Sequence, residues 1–203
     1  MAIEVSDHRI EGARTVMTSD PKASNEPDLA LRLRAGHIRY GANWQGTAIK
    51  TQYKRLASNM QVDPEQPVLE SLRLHMQALV DLDFLITSIR RLLRVAEQAR
   101  RLGLDQDRKL KLAIRIFNSR WQPYLVDIRN TLEHVDQPGF PFVPFRGGGK
   151  VAFSVPGGEI DATKLYDAAM ELYKAICRAI APFESSAPGG PAGGSPPDVS
   201  DAH

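Results

Sequence analysis

The 203-residue chain has one cysteine, few aromatic residues (7%) and no long uncharged apolar run. Cys177 alone builds neither an internal disulfide nor a thiolate metal cluster. Its neighbours in YKAICRAIAPF are those of a small core residue. A membrane-spanning helix needs roughly 18 consecutive apolar residues, and no stretch approaches that. The start, MAIEVSDHRI, lacks the basic residues and apolar core of a secretory signal. These absences predict a cytoplasmic chain without a membrane partner. No two His or Cys residues stand at metal-ligand spacing, and there is no Gly-x-Ser-x-Gly elbow. The run Gly147, Gly148, Gly149, Lys150 leads into the strand-like VAFSV, whereas a phosphate loop must open a helix. No metal and no cofactor are expected.

The net charge of +2 hides a block pattern. Residues 1–27 hold three Lys/Arg against five Asp/Glu, residues 28–56 six against one, and residues 57–85 one against five. Residues 86–111 then hold eight against three. Two segments are therefore locally at +5. Clusters of this kind either gather phosphate backbones or form solvated helix faces. Lys50 and Lys54 in the first block, with Arg90, Arg94 and Arg101 in the second, are the candidate RNA-binding residues.

Periodicity and breakers organise the chain into four parts. Residues 1–27 show no sustained pattern and read as a mobile N-terminal arm. Residues 28–62 read as a basic, partly irregular lead-in: a short helical stretch near Leu29 to Leu33 is followed by Gly36, Gly41 and Gly46. Residues 63–183 read as a helical bundle. Its first helix follows Asp63 and runs to about Gly103, with Leu69, Leu72, Met76, Leu79, Leu82, Ile86, Ile89 and Leu93 as its core stripe. Asp105 is placed to cap a second helix over 106–121, and Pro123 predicts a kink or restart. Phe140 to Phe145 and Val151 to Val155 predict a small hairpin within 140–155. A last amphipathic helix runs from Asp161 to before Pro182. Residues 184–203, rich in Pro, Gly and Ser, read as a disordered tail. The fold class expected is all-α, an antiparallel helical bundle with a small β-hairpin insertion and disordered termini.

The segment LVDIRNTLEHVD concentrates the polar chemistry. Leu125, Ile128, Leu132 and Val135 recur at helical spacing and define a buried seam. His134 points nearly opposite that seam, with Asp127 and Asn130 close to the same outer face and Arg129 on a flank. An imidazole can give or take a proton near neutrality, and a guanidinium can hold a phosphate or its developing charge. Those two functions suffice to cleave RNA through its own 2′-hydroxyl. Arg129 and His134 diverge by roughly 140° on one straight helix, so one helix alone does not focus them on one phosphate, whereas two copies related by a two-fold axis could. The bland alternative is an exposed face on which Arg129 pairs with Glu133.

Arg129, Asn130 and His134, near the end of a helix in a small helical bundle, resemble the Arg-polar-x3-His motif of the HEPN superfamily. The resemblance covers roughly residues 63–182. It implies a metal-independent endoribonuclease of toxin or defence type, with a composite catalytic site of Arg129, Asn130 and His134 at a homodimer interface. It also implies RNA as substrate and an antitoxin or other regulatory protein as partner. Some members of the superfamily are noncatalytic binding modules, so a helical protein-interaction or RNA-binding module is the alternative. The hairpin and the basic lead-in are additions to the minimal four-helix pattern.

Overall fold

The computed structural model describes residues 29–60, 67–132, 144–147, 150–155 and 158–184. The N-terminal arm, the tail from 185 and the segment holding Glu133, His134 and Val135 lie outside the described residues. Within them stand four helices, α1 (Leu29–Asn59), α2 (Val68–Arg101), α3 (Lys109–Leu132) and α4 (Ala162–Glu184). Three short strands, β1 (Pro144–Gly147), β2 (Lys150–Val155) and β3 (Gly158–Asp161), separate α3 from α4.

α1 corrects the expected lead-in. Residues 29–59 form one uninterrupted helix packed against α2 and α4, so the basic segment is a full member of the bundle. The three glycines lie inside it, and Gly46 shows why a glycine serves there. A Cβ on Gly46 would stand 3.0 Å from the ring of Tyr173 on α4, so the absent side chain lets the two helices approach. Half of the buried positions of α1 are small, with Ala35, Ala42 and Gly46 interspersed among Ile38, Ile49 and Leu56. Tyr53 stacks on Tyr166 at 4.3 Å between ring centres, and its hydroxyl donates to Thr163 Oγ1 at 3.0 Å. Glu184, expected in the tail, belongs to α4, where it accepts a hydrogen bond from Arg39 Nε at 2.8 Å.

α2 buries Leu79, Leu82, Ile86 and Ile89 as its periodicity predicts. Leu69, Leu72 and Met76, from the same expected stripe, are exposed at 81%, 56% and 50%. These first turns precede the stretch of α2 that meets α1: Asp81 accepts a hydrogen bond from Asn59 Nδ2 at 2.7 Å and faces Arg55 Nε at 3.1 Å, near the end of α1. Asp81 is buried, and that burial raises its carboxyl above the ordinary value despite Arg55 and Asn59.

Between α2 and α3 the turn is closed by Gly103 at φ 76 and by Asp105. The Asp105 carboxylate accepts from the backbone N–H groups of Leu110 and Lys111 at 3.0 and 2.8 Å, satisfying donors that the first turn of α3 leaves open. α3 then continues through Pro123 instead of restarting. Pro123 removes one backbone donor, but it lies on the exposed side. Trp121, Leu125 and Ile128 hold the buried side across it.

The strands form an antiparallel sheet ordered β1-β2-β3, with Phe145 opposite Ala152 and Phe153 opposite Ile160. It lies where α3 ends and α4 begins. Val151, Ala152 and Ile160 are buried, and β2 packs on α4 and α3. The expected hairpin is thus present with a third strand added. β3 runs directly into α4, whose start is capped by Asp161 Oδ1 accepting from Lys164 N at 3.1 Å. α2 packs on α1, α3 and α4, and α4 packs on α1 and α3, an up-and-down antiparallel bundle. No helix among the described residues is long and apolar enough to cross a membrane.

Candidate functional site

The polar end of α3 is built as its periodicity predicts. Leu125 and Ile128 are buried at 3% and 0% exposure, which turns Arg129 and Asn130 out to solvent and leaves Asp127 half-buried. Asp127 and Arg129 are each engaged in an interaction of their own. His134 lies outside the described residues. A shallow depression of about 390 Å³, lined by Asn118, Ser119, Gln122, Pro123, Val126 and Asp127, precedes Arg129 and Asn130 along the helix. The side-chain carbonyl of Asn118 is shielded there without a hydrogen-bond donor.

The two flanks of α3 carry different chemistry. Lys109, Ala113, Ile116 and Arg120 face α4 across a groove that also includes Ala168, Glu171, Ala175 and Arg178. Asp127, seven residues after Arg120, continues this α4 side. Lys111, Arg115, Gln122 and Arg129 recur at four, seven and seven residues and therefore share the other flank, the one towards α2. All four are exposed. Arg129 and Asp127 thus stand on opposite flanks of α3.

The short turn between α2 and α3 makes them antiparallel neighbours, so the end of α2 lies beside the start of α3. Arg90, Arg94 and Arg101, at four and seven residues, share one side of α2 turned away from the positions that meet α1. Arg94 and Arg101 are exposed and Arg90 is half-buried; Arg101 lies 4.0 Å from Glu97. With Lys111 and Arg115 they give the α2–α3 face a basic end, and the same α3 flank leads from there to Arg129.

Lys50 and Lys54 do not join this patch. They follow Asn43 by seven and eleven residues, and Asn43 Oδ1 accepts from the Tyr173 hydroxyl of α4 at 2.9 Å. Both lysines therefore lie on the α1–α4 flank, while Arg55 turns towards α2 and Asp81. The five expected RNA-binding residues fall into two separate groups. Sequence reasoning missed Lys111 and Arg115, although their spacing to Arg129, close to a whole number of helical turns, was a usable signal. Among the described residues no three His, Cys, Asp or Glu side chains converge as a metal site.

The chain matches no family model, no curated protein and no solved structure.

Proposed function

We propose that the chain is a metal-independent endoribonuclease of HEPN type that lays RNA along the α2–α3 face. Arg90, Arg94, Arg101, Lys111 and Arg115 hold the phosphate backbone, and Arg129 stabilises charge on the phosphate that reacts. The alignment of Lys111 and Arg115 with Arg129 on one flank of α3 carries this reading. In the reaction the RNA 2′-hydroxyl attacks the adjacent phosphorus. A base removes its proton, and the 5′-oxygen leaves with a proton from an acid. His134 fills one of those roles, and Asn130 positions the phosphate.

A two-fold pairing of copies is part of the proposal. On α2, Leu69, Leu72, Met76, Val80 and Phe84 form an apolar stripe, each at least 50% exposed. α2 (34 residues) is longer than α3 (24 residues), so in the antiparallel pair the end of α3 comes level with the Val80–Phe84 part of this stripe and not with the first turns of α2. In this proposal a second copy covers that stripe, and catalytic groups of the two protomers combine in one composite site. The noncatalytic reading uses the same basic face to hold RNA without turnover.

Labelled RNA incubated with the protein in EDTA separates these readings. The expected result is cleavage leaving 2′,3′-cyclic phosphate and 5′-hydroxyl ends, reduced about 10²- to 10⁴-fold in His134→Ala with unchanged melting. RNA bound in a salt-dependent way but left intact by the wild type supports the noncatalytic reading. Absence of both binding and cleavage overturns both.

A further inference from the structure

The α3–α4 groove belongs to neither the basic face nor the motif. It encloses about 580 Å³, and its floor is Leu110, Phe117 and Leu172. Small residues open it: Ala113 on α3 faces Ala168, Ala175 and Ala179 on α4, so the two helices meet at their bases and leave a trough between their outer edges. Lys109 to Trp121 on one wall and Ala168 to Ala179 on the other give a length of about 17 Å, three helical turns.

Charge on the rims is asymmetric once local pairs are taken out. Lys109 bonds Asp107 at 2.9 Å, and Lys174 bonds Glu171 at 2.7 Å, so both acidic rim residues already hold a lysine. Arg120 and Arg178 supply the remaining rim charge. Arg120 lies over the Trp121 ring, 5.1 Å from its centre, and Arg178 stands near Glu171. Because α3 and α4 are antiparallel, Arg120 marks one end of the trough and Arg178 the other, about 15 Å apart.

We infer that this groove binds an amphipathic helix of a protein partner, with apolar residues at i, i+3 or i+4 and i+7 seated on Phe117 and Leu172. Acidic residues about ten positions apart on that helix reach Arg120 and Arg178, since ten residues rise about 15 Å. The trough length matches a three-turn helix, and the two arginines select acidic flanks. The groove is on the opposite flank of α3 from Arg129, so the inference does not rest on the RNA reading.

The test is selection of phage-displayed helical peptides on the full-length protein, with the apolar positions fixed and the flanking positions randomised. The expected peptides carry Asp or Glu about ten residues apart. Their synthetic forms lose about tenfold or more in affinity for the Arg120→Glu, Arg178→Glu double variant, whose changes are on the surface. Filling the trough with Ala113→Phe and Ala179→Phe abolishes binding. The inference is overturned if no peptide is recovered, if recovered peptides lack the acidic pair, or if their affinity ignores both sets of changes. Two further results also overturn it: dodecanoate saturating the groove while no peptide is recovered, and a dimer in sedimentation that Ala113→Phe dissociates.

Discussion

The two flanks of α3 share one backbone and one buried seam yet present opposite surfaces. Towards α2 the helix shows Lys111, Arg115 and Arg129 at nearly whole-turn spacing, a row of long exposed cations. Towards α4 it shows Ala113, Phe117 and Arg120 beside a trough floored by Leu172, apolar with charge only at the rims. Surface charge beside only a shallow depression suits an extended polyanion, whose affinity comes from many exchangeable phosphate contacts. Concavity with an apolar floor suits a folded segment that brings its own apolar stripe. A single helix thus separates two kinds of recognition by about half a turn.

The largest expected effect breaks both flanks together. Phe117 is 3% exposed, belongs to the seam and also floors the groove. Phe117→Ala is expected to cost about 3 kcal/mol in equilibrium unfolding, towards the low end for a buried ring because the open side of the groove lets neighbours relax. Loss of peptide binding and of RNA binding in that one variant would reflect the shared spine rather than either surface.

A smaller effect tests the side of α2 that meets α1. Asp81 ties α2 to the end of α1, and burial holds its carboxyl above the ordinary value of 3.8. A raised folded-state value means that the native chain keeps this proton where the unfolded chain has released it. Its contribution is therefore present at low pH and is lost as pH rises from about 3.8 through the folded value. Glu70, Asp107 and Glu171 are shifted downwards, each by a bond to a neighbouring Arg or Lys, and act in the opposite sense. The informative quantity is the stability of Asp81→Asn minus that of wild type. It is expected to grow in favour of Asn as pH rises above about 3.8, by denaturant titration, with RNA and peptide binding unchanged. A pH-independent difference would mean that Arg55 and Asn59 offset the burial completely.

Legibility in the sequence followed residue size more than helicity. α2, α3 and α4 announce themselves through large apolar residues at helical spacing, such as Leu82, Ile86 and Ile89 or Leu165, Leu172 and Ile176. α1 does so less clearly, because Ala35, Ala42 and Gly46 fill half of its buried positions while Leu33, Tyr40 and Trp44 stay exposed. Glycines that serve close helix approach are indistinguishable in sequence from glycines that break a helix. Pro123 is likewise overridden, since buried contacts on the far side of α3 outweigh one missing donor. β3 escapes detection because four residues, Gly158 to Asp161, carry too short an alternation to register.

The candidate site divides in the same way. The outward placement of Arg129 and Asn130 follows from the spacing of Leu125 and Ile128 alone, so it is legible in the sequence. The partition of Lys50 and Lys54 from Arg90, Arg94 and Arg101 is not, because it depends on which helix neighbours which. The groove is hidden for the same reason as α1: alanines that open a trough look like alanines that fill a core.

The separation of the two flanks is tested most directly by exchanging charge on each and measuring both ligands. RNA and a groove-selected peptide are titrated against Arg115→Glu and Arg178→Glu under identical salt. Arg115→Glu is expected to weaken RNA about tenfold and to lower its salt slope by about one, leaving the peptide unaffected. Arg178→Glu is expected to weaken only the peptide. Loss of both ligands in either variant, or RNA binding indifferent to Arg115→Glu, would contradict the account.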